Sequence, residues 1–324
     1  MTPEQLMRAA LAAAEEVRGT TSPNPWVGCA IACTDGAVVT GATQPPGGAH
    51  AERMALSALG SRSSGAVVAV TLEPCNHQGR TPACVDALVA AGVRTVYVGT
   101  TDPDPRVNGS GIAALRAHGI EVLVGVLRDQ VELQLAPYLH HRRTGRPFVV
   151  LKLAATLDGR TASPDGSSQW ITSAQARADV HRLRALSDAV LVGAGTVRTD
   201  NPSLTVRDAP GRSPRRIVLG AASATAAVQP CDQLTGPLEE VLTRLGSEGV
   251  LQLLVEGGAT VAADFHRQHL VDRYVLYFAP ALMGGDDGSP LFRGIGAPTV
   301  RDLWRGRIVS VEQIGPDLRI ELEP

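Results

Sequence analysis

The sequence predicts an α/β protein made of two domains, and three observations support this prediction. The chain has 324 residues, a length that suggests two hydrophobic cores. Short apolar runs typical of buried strands alternate with segments of helical periodicity in both halves. A polar run at 141–147 interrupts this alternation, which then restarts. We therefore predict domains at residues 1–145 and 146–324.

The first half is predicted to begin with a helix and a hairpin, and then to alternate helices with strands. Asp35-Gly36 marks the hairpin turn. The predicted elements are, in order, a helix at Pro3–Val17, strands at Val27–Cys33 and Ala37–Gly41, a helix from about His50, a strand at 66–71, a helix at 82–91, a strand at 94–99, a helix at 110–117, a strand at 120–125 and a helix at 129–141. The polar run after the last helix is the predicted linker.

The second half repeats the alternation and ends in a predicted antiparallel pair of strands. The predicted elements are a strand at Phe148–Ala155, a helix at Ala174–Leu186, strands at Ala189–Val192 and Arg216–Leu219, a helix at Pro237–Leu245, a strand at Leu251–Val255, a helix at Ala259–His266 and strands at Arg273–Phe278, Arg307–Gln313 and Leu318–Leu322. The last two strands flank Gly315-Pro316-Asp317, and so short a connection requires them to run antiparallel.

The overall composition excludes several classes of function. The formal net charge of −2 gives no electrostatic basis for binding nucleic acid. No apolar stretch approaches the length that crosses a membrane, and Met1–Arg18 lacks the apolar centre of a signal peptide. We therefore expect a cytoplasmic protein with no nucleic-acid and no membrane partner. The sequence leaves the oligomeric state open, and a homo-oligomer is among the options.

A histidine and two cysteines are predicted to bind one zinc ion. They lie in Gly48-Ala-His50-Ala-Glu52 and in Leu72-Glu-Pro-Cys75, with eight residues between Cys75 and Cys84. Three protein ligands leave the fourth position of tetrahedral zinc open for water, whose pKa the metal lowers toward neutrality. Glu52 stays free to carry protons, as the glutamate of the zinc-deaminase signature does. That signature has two residues between its cysteines, so the spacing here is longer.

The alternative interpretation is a pair of core cysteines and an unrelated surface histidine. The local sequence argues against it, because each candidate ligand lies at the end of a predicted element. His50 begins an apolar helical pattern, Cys75 follows a buried strand, and Cys84 follows the helix-start signal Thr81-Pro82. Such ends can converge at one edge of a sheet.

The other three cysteines receive no metal in this interpretation. Cys29 and Cys33 lie about 13 Å apart along one strand, too far to share an ion, and are predicted core residues. Cys231 lies in a loop-like stretch and is assigned no function. The odd total of five cysteines argues against a disulfide framework.

Lys152 is the only lysine among 30 basic residues. It lies in the predicted strand Phe148–Ala155, on the face it shares with Val150 and Ala154. An ammonium there is costly to bury unless it is paired or used, so we predict a catalytic role with Asp158 or a substrate ribose as its partner. The alternative is a lysine that extends to solvent from the end of a strand.

Two glycine-rich turns in the second half are candidate phosphate sites. One is Val192-Gly-Ala-Gly-Thr196 and the other is Leu254-Val-Glu-Gly-Gly-Ala-Thr260, in which a strand leads into a helix. The free N–H groups of a helix N-terminus can bind a pyrophosphate where glycine permits close approach. Neither turn matches the Rossmann or P-loop fingerprint, so an ordinary tight turn is the alternative for each.

Together these motifs resemble, nearly end to end, the bifunctional deaminase/reductase family of bacterial riboflavin biosynthesis, in which the longer cysteine spacing is usual. The resemblance rests on Ser22-Pro-Asn-Pro-Trp-Val-Gly28, His50-Ala-Glu52, Thr71-Leu-Glu-Pro-Cys75, Gly79-Arg-Thr-Pro-Ala-Cys84, Leu151-Lys-Leu-Ala-Ala-Thr-Leu-Asp-Gly-Arg160, Ser168-Gln-Trp-Ile-Thr172, Asp200-Asn-Pro-Ser-Leu-Thr-Val-Arg207 and Val255-Glu-Gly-Gly258.

The resemblance implies a cytidine-deaminase-like α/β/α layer domain followed by an α/β domain like dihydrofolate reductase. It implies a small-molecule partner, a diaminopyrimidinone ribosylamine 5′-phosphate. The first domain would remove its 2-amino group, using Zn²⁺. The second would reduce the ribosyl chain to ribityl, using NADPH.

The resemblance also implies roles for individual residues. Zinc ligands are implied at His50, Cys75 and Cys84, with Glu52 as the proton shuttle. NADPH contacts are implied at Ala154, Trp170, Thr196, Asp200, Gly258, Ala259 and Thr260. Substrate contacts are implied at Asn24, Ser168, Arg184, Leu204, Arg207 and Glu256, with the two arginines suited to grip a phosphate. Simpler interpretations stay open for two of them, since Trp170 could only pack and Arg184 could lie on a solvated helix face.

Two competing functions remain at this point. One is a deaminase of nucleosides or nucleic acid with an accessory second domain, against which the low charge and the scarce aromatic residues argue. The other is a non-catalytic binding protein with an inactive reductase half, against which Lys152 and both glycine-rich turns argue. The segment between Arg216 and Leu251 is shorter than in many relatives, which leaves the preference for NADPH over NADH undecided.

Overall fold

The computed structural model describes residues 1–77 and 82–324. The chain divides into two compact units, Met1–Gly145 and Arg146–Pro324. The helix-start signal at Thr81 lies outside the described residues, as do Gly79 and Arg80 of one resembling stretch. Within the described part of the chain, none of the helices has the length and apolar character needed to cross a bilayer.

The N-terminal unit is a five-stranded sheet with helices between its strands. Its elements are α1 (Pro3–Glu16), β1 (Gly28–Ala32), β2 (Val38–Ala42), α2 (Ala51–Leu59), a 3-10 turn (Gly60–Ser63), β3 (Val67–Leu72), α3 (Cys84–Ala90), β4 (Thr95–Thr100), α4 (Ser110–Ala117), β5 (Glu121–Val124), α5 (Arg128–Gln134) and α6 (Ala136–Thr144). The strand order is β2-β1-β3-β4-β5, in which β3, β4 and β5 run parallel and β1 runs antiparallel to both of its neighbours. The start of β1 and the carboxyl ends of β3 and β4 therefore lie at one edge.

Helix α1 shows how closely the elements of this unit pack. Thr2 and Gln5 form a capping box at its start, in which each side chain accepts from the other residue's backbone N–H. The helix packs on β1 and β3. A Cβ atom on Gly28 would lie 1.8 Å from the carbonyl oxygen of Ala10, so only glycine permits this approach of helix to strand.

The predicted helix at 129–141 is wrong in its extent, because the structure has two helices there and the second reaches Thr144. Pro137 lies in the first turn of α6 and has no N–H to continue the hydrogen bonds of α5. The residues predicted as a polar linker are therefore largely helical. The chain leaves α6 at Gly145, whose positive φ of 73° suits a helix C-terminus.

The C-terminal unit is built on an eight-stranded sheet. Its elements are β6 (Phe148–Thr156), β7 (Arg160–Ala162), α7 (Ala174–Ala185), β8 (Ala189–Gly193), α8 (Ala194–Asp200), β9 (Arg215–Leu219), β10 (Asp232–Leu234), α9 (Leu238–Ser247), β11 (Gln252–Val255), α10 (Ala259–Arg267), β12 (Arg273–Ala279), β13 (Ser289–Pro290), a 3-10 turn (Val300–Asp302), β14 (Arg307–Ile314) and β15 (Asp317–Glu323). The sheet order is β10-β9-β8-β11-β6-β12-β15-β14, and β13 pairs separately with β7.

The order of strands in this unit determines where a ligand can bind. Strands β10, β9, β8, β11, β6 and β12 run parallel, whereas β15 and β14 are antiparallel as predicted. Carboxyl ends of parallel strands are where open α/β sheets bind ligands. The sequence prediction missed β7, β10, α8 and β13, which are all short, and α8 begins within what was predicted as a glycine-rich turn.

Candidate functional site

The three predicted zinc ligands lie together in the N-terminal unit. Nδ1 of His50 is 3.5 Å from Sγ of Cys75 and 3.3 Å from Sγ of Cys84. All three candidate ligand atoms lie within 4.8 Å of one another. Ligands of a tetrahedral zinc, with bonds of about 2.0–2.3 Å, are separated by roughly 3.5 Å, so these side chains fit a zinc ion.

Local structure presents each of these side chains. His50 is the N-cap of α2 in an extended conformation, and its side chain makes no capping hydrogen bond that would turn it away. Cys75 follows β3, and Cys84 is the first residue of α3. The backbone N–H of Cys84 donates to Sγ of Cys75 at 3.4 Å, which favours the thiolate that a metal requires.

The two thiols and the imidazole of this cluster shift one another's pKa. A hydrogen bond with Cys84 is the main reason that the pKa of Cys75 falls to about 4, and the same bond raises the pKa of Cys84. The hydrogen bond to Cys75 also raises the pKa of His50. The lowered pKa of Cys75 favours its thiolate, the form that binds a metal.

Glu52 is buried beside the cluster, with 3 % of its surface exposed. Its side chain interacts with Cys84, and its pKa is raised by burial and by the nearby Cys75. Asn24 lies in the loop before β1. The N–H of Gly28, at the start of β1, donates to Oγ1 of Thr71, near the end of β3. The start of β1 and the end of β3 therefore lie at the same sheet edge. Asn24 is therefore at the correct edge, although none of its described contacts joins it to the cluster.

In the C-terminal unit the two glycine-rich turns lie side by side. They follow the neighbouring parallel strands β8 and β11, and the N–H of Gly258 donates to Oγ1 of Thr196 at 3.2 Å. Thr196 is in the first turn of α8, and Gly258 is the N-cap of α10, directly before Ala259 and Thr260. The turns therefore present two adjacent helix starts at one edge of the sheet.

A groove lies beside these turns along α10. A Cβ atom on Gly193 or Gly257 would approach the Val261 side chain to 2.8 Å or 2.6 Å, so both glycines are needed for α10 to lie this close to the sheet. Val261 also lines a groove of about 630 Å³ that is bounded by the ends of β9 and β10 and by the side chains of Asp264 and Gln268. Its volume falls within the range of small-molecule binding sites.

Arg184 and Glu256, both predicted to contact substrate, contact each other. Nε and Nη2 of Arg184 donate to the two carboxylate oxygens at 2.6 Å and 2.9 Å, and Nη1 donates to the carbonyl oxygen of Thr205 at 3.1 Å. The Arg184 side chain is 12 % exposed, so its interpretation as a solvated helix residue is wrong. Arg184 lowers the pKa of Glu256 against the opposing effect of burial.

Leu204 and Arg207 lie in the loop that reaches Arg184. Leu204 is buried and has a positive φ of 53°, which a non-glycine residue adopts only when its surroundings hold it. Arg207 is exposed, and its Nη1 donates to the hydroxyl oxygens of Ser203 and Thr205 at 2.5 Å and 3.2 Å. Of the two arginines predicted to bind a phosphate, Arg207 is therefore the one that faces solvent, whereas Arg184 is largely buried.

Ser168 and Asp200 also meet, since the Ser168 hydroxyl donates to Oδ1 of Asp200 at 3.3 Å. Trp170 is 68 % exposed, and the guanidinium of Arg177 lies 4.4 Å from the centre of its ring. Trp170 is therefore not part of a core, and the packing it makes is the contact with Arg177. Its exposed indole is free to contact a ligand, together with the stacked cation.

Lys152 lies in the middle of β6 and not at a strand end. Its pKa is lowered by burial, an effect that Glu256 opposes and Arg184 reinforces. Its Nζ is 5.9 Å from the centre of the Tyr277 ring, and Ala154 lies next along the same face. The predicted partner Asp158 is engaged elsewhere, with the Thr156 hydroxyl and two backbone N–H groups, so that pairing is wrong.

Sequence reasoning overlooked Glu73 in the N-terminal unit. This residue is 4 % exposed, and its carboxylate accepts hydrogen bonds from the backbone of another strand end and of α4. The signal was present in the sequence, because an acidic residue directly after a buried apolar run is unusual. The nearby Cys75, a candidate metal ligand, drew the interpretation of this segment to itself, and Glu73 received no role.

The chain matches the models of two protein families. Residues 1–100 match the "cytidine and deoxycytidylate deaminase zinc-binding region", and residues 147–320 match the "RibD C-terminal domain". Among curated proteins, the riboflavin biosynthesis protein RibD of Mycobacterium tuberculosis is 41 % identical over 332 residues. The alignment covers 98 % of this chain and 96 % of the relative.

Solved structures give the same result. RibD of Acinetobacter baumannii superposes with a TM-score of 0.92 at 34 % identity and covers 99 % of this chain and 98 % of that one. A Thermotoga maritima protein described as a diaminohydroxyphosphoribosylaminopyrimidine deaminase/5-amino-6-(5-phosphoribosylamino)uracil reductase superposes with a TM-score of 0.90, also at 34 % identity, over 99 % of this chain and 98 % of its own. The predicted fold class is thereby confirmed for both halves.

Proposed function

The chain belongs to the RibD family of bifunctional deaminase/reductases of riboflavin biosynthesis, and from that membership we propose its two reactions and the residues that perform them. Its cofactors are zinc and NADPH. The proposed substrate of the first reaction is 2,5-diamino-6-ribosylamino-4(3H)-pyrimidinone 5′-phosphate, which loses its 2-amino group. The second reaction reduces the ribosyl chain of the product to ribityl. The observation that carries the proposal is the convergence of a histidine and two cysteines beside a buried glutamate.

We assign zinc binding to His50, Cys75 and Cys84. A bound zinc ion supplies a water molecule of lowered pKa as the nucleophile. Glu52 is placed to take a proton from that water and to deliver it to the leaving amine, because its carboxylate is buried against Cys84 and excluded from bulk solvent. Asn24 is assigned to the pyrimidine ring, which its amide can recognise by both donating and accepting.

The reductase half is assigned a cofactor site along the edge formed by α8 and α10. The helix starts at Thr196 and at Gly258-Ala259-Thr260 would bind the pyrophosphate of the dinucleotide, and the groove beside Val261 would receive its nucleotide end. We place Ala154, Trp170 and Asp200 around the nicotinamide half.

The substrate of the reductase is assigned to the neighbouring residues Ser168, Leu204 and Glu256. Because Arg184 already donates to Glu256 through two of its nitrogens, we assign Arg184 mainly to orienting that carboxylate and Arg207 to the substrate phosphate. An oriented carboxylate can accept hydrogen bonds from ribose hydroxyls with its remaining lone pairs.

Lys152 is proposed as the proton donor of the reduction. Its ammonium has no hydrogen bond or ion pair with any of the described residues, yet it lies near the buried carboxylate of Glu256. A ribosyl oxygen next to both groups would provide the missing partner. Addition of hydride at C1′ would break the bond between that carbon and the ribosyl ring oxygen, and the Lys152 ammonium would protonate that oxygen as the bond breaks.

We further propose residues 1–145 as the deaminase domain and 146–324 as the reductase domain, with the cytoplasm as the location. The five cysteines are unpaired in the structure, a state that a reducing compartment preserves. The net charge of −2 leaves a free small molecule, and not nucleic acid, as the substrate class.

One combined measurement tests the proposal. Purified protein should contain one zinc per chain, release ammonia from the diaminopyrimidinone phosphate, and oxidise NADPH only after that deamination. Cytidine offered to the same preparation should be a poor substrate. Efficient deamination of cytidine, or no oxidation of NADPH with the deaminated product, would contradict the assignment.

A further inference from the structure

Glu73 is a buried carboxylate that does not contact the candidate zinc site directly. Its two oxygens accept four backbone N–H groups, from Asp102 at 3.3 Å, Gly109 at 2.9 Å, Gly111 at 2.9 Å and Ile112 at 3.2 Å. With 4 % of its surface exposed, it depends on these donors in place of water. Hydrogen bonds to a buried charge are among the stronger ones in proteins.

These donors belong to elements distant in sequence from β3. Gly109 is the N-cap of α4, Gly111 and Ile112 are in its first turn, and Asp102 follows β4. The carboxylate therefore joins the end of β3 to the start of α4 and to the segment after β4. The contact is close, because a Cβ atom on Gly111 would lie 1.9 Å from the carbonyl oxygen of Pro74.

Cys75 is the next residue after this contact, and its other side is held by α3. The N–H of Val85 donates to the carbonyl oxygen of Cys75 at 3.2 Å, and the N–H of Cys84 donates to its Sγ at 3.4 Å. The start of α4 therefore holds the chain just before Cys75, through Glu73, and the start of α3 holds Cys75 itself. The α3 contact includes the metal ligands themselves, whereas the Glu73 contact lies outside them.

We propose that Glu73 is a positioning residue for the zinc site, which fixes the Pro74-Cys75 backbone so that the Cys75 thiolate stays at bonding distance from zinc. This inference rests on the proposed role of Cys75 as a zinc ligand. Outer contacts of metal ligands commonly change metal affinity by about 10- to 100-fold. A role limited to stabilising α4 would instead change the unfolding temperature and leave the bound metal unaffected below it.

The test is the variant Glu73→Gln in the full-length zinc-loaded protein. The side-chain amide of glutamine keeps one acceptor oxygen and replaces the other with an NH₂ group, which would face two backbone N–H donors without being able to accept from them. We expect zinc to be released to a chromophoric chelator at least about tenfold faster than from the wild type. The kcat of deamination should fall while KM changes little, and NADPH oxidation with deaminated substrate should be unchanged. If Glu73→Gln does not accumulate as folded protein, Glu73→Asp, which keeps the charge and shortens the reach, serves for the same measurements.

The matched control is Leu115→Ala, which removes a fully buried side chain of α4 without touching Glu73. It should lower the unfolding temperature and leave zinc release and kcat at wild-type values. Equal zinc release from wild type and the Glu73 variant, measured well below both unfolding temperatures, would overturn the role of Glu73 alone. A wild-type protein without bound zinc would overturn the zinc site itself.

Discussion

The two units assemble their candidate sites in different ways. In the N-terminal unit the predicted ligands already lie within bonding range of a common ion, with His50 and Cys84 at the starts of two helices and Cys75 after a strand. In the C-terminal unit the predicted residues are spread along one sheet edge and many contact each other, as Arg184 contacts Glu256 and Thr196 contacts Gly258. A metal site is thus defined by a few side chains, whereas a dinucleotide site is defined mainly by backbone and shape.

The largest effect that this difference predicts is the loss of zinc from Cys84→Ser. A hydroxyl does not replace a thiolate as a soft charged ligand, so we expect zinc affinity to fall by more than about a hundredfold and deamination to be lost. Elemental analysis of purified protein measures the result. The control Cys231→Ser removes a thiol in the C-terminal unit and should retain full zinc. Full zinc occupancy in Cys84→Ser would contradict the ligand assignment.

Glu52→Gln separates the chemistry of the first site from its assembly. Glutamine has the shape of glutamate but cannot move a proton, so we expect deamination to slow by at least about a hundredfold with zinc content unchanged. Ammonia release and zinc content are measured on the same sample. Glu121→Gln, which alters an exposed glutamate bonded to Thr95, is the control and should be fully active. Near-normal ammonia release from Glu52→Gln would remove its assigned role.

What the sequence could predict follows the same division. The zinc cluster was predictable because His50, Cys75 and Cys84 are chemically distinctive and lie at the ends of regular elements. The Arg184–Glu256 pair was not, because 72 residues separate the partners and only the adjacency of elements brings them together. Helix α8 was missed because the two glycines and the threonine at 193–196 favour a turn. Its end is marked by Asn201 in the left-handed conformation, which only the structure reveals.

In the second site, Lys152→Arg should slow NADPH oxidation by about a hundredfold, the usual scale for a positioned proton donor. Arginine keeps the charge, but its guanidinium is larger and does not give up its proton. Deamination should stay near wild type, because its assigned residues belong to the other unit, and the unfolding temperature should change little because the positive charge is kept. Wild-type oxidation of NADPH by this variant would return Lys152 to a role in charge alone.

The pH dependence of reduction gives a second measure of Lys152. Burial lowers its pKa below the usual 10.5, with Arg184 adding to the shift and Glu256 opposing it. A proton donor must be protonated to act, so the rate of reduction should fall as the pH rises through this lowered pKa. The residual rate of Lys152→Arg should show no such decline, because arginine stays protonated. If the rate of Lys152→Arg declines with the same midpoint pH as the wild type, the group that titrates is not Lys152.

The smallest effect is expected from cutting the chain between Gly145 and Arg146. Each unit has its own sheet and its own candidate site, so residues 1–145 and 146–324 expressed separately should each unfold cooperatively. The first fragment should bind zinc and release ammonia, and the second should oxidise NADPH with deaminated substrate, each at nearly the rate of the full chain. Thermal unfolding followed by circular dichroism tests the folding, and the two assays test the sites. The cut lies directly after Gly145, the C-cap of α6, where the chain leaves that helix. If neither fragment unfolds cooperatively, the two sites depend on one shared fold, and the contrast between them concerns only their chemistry.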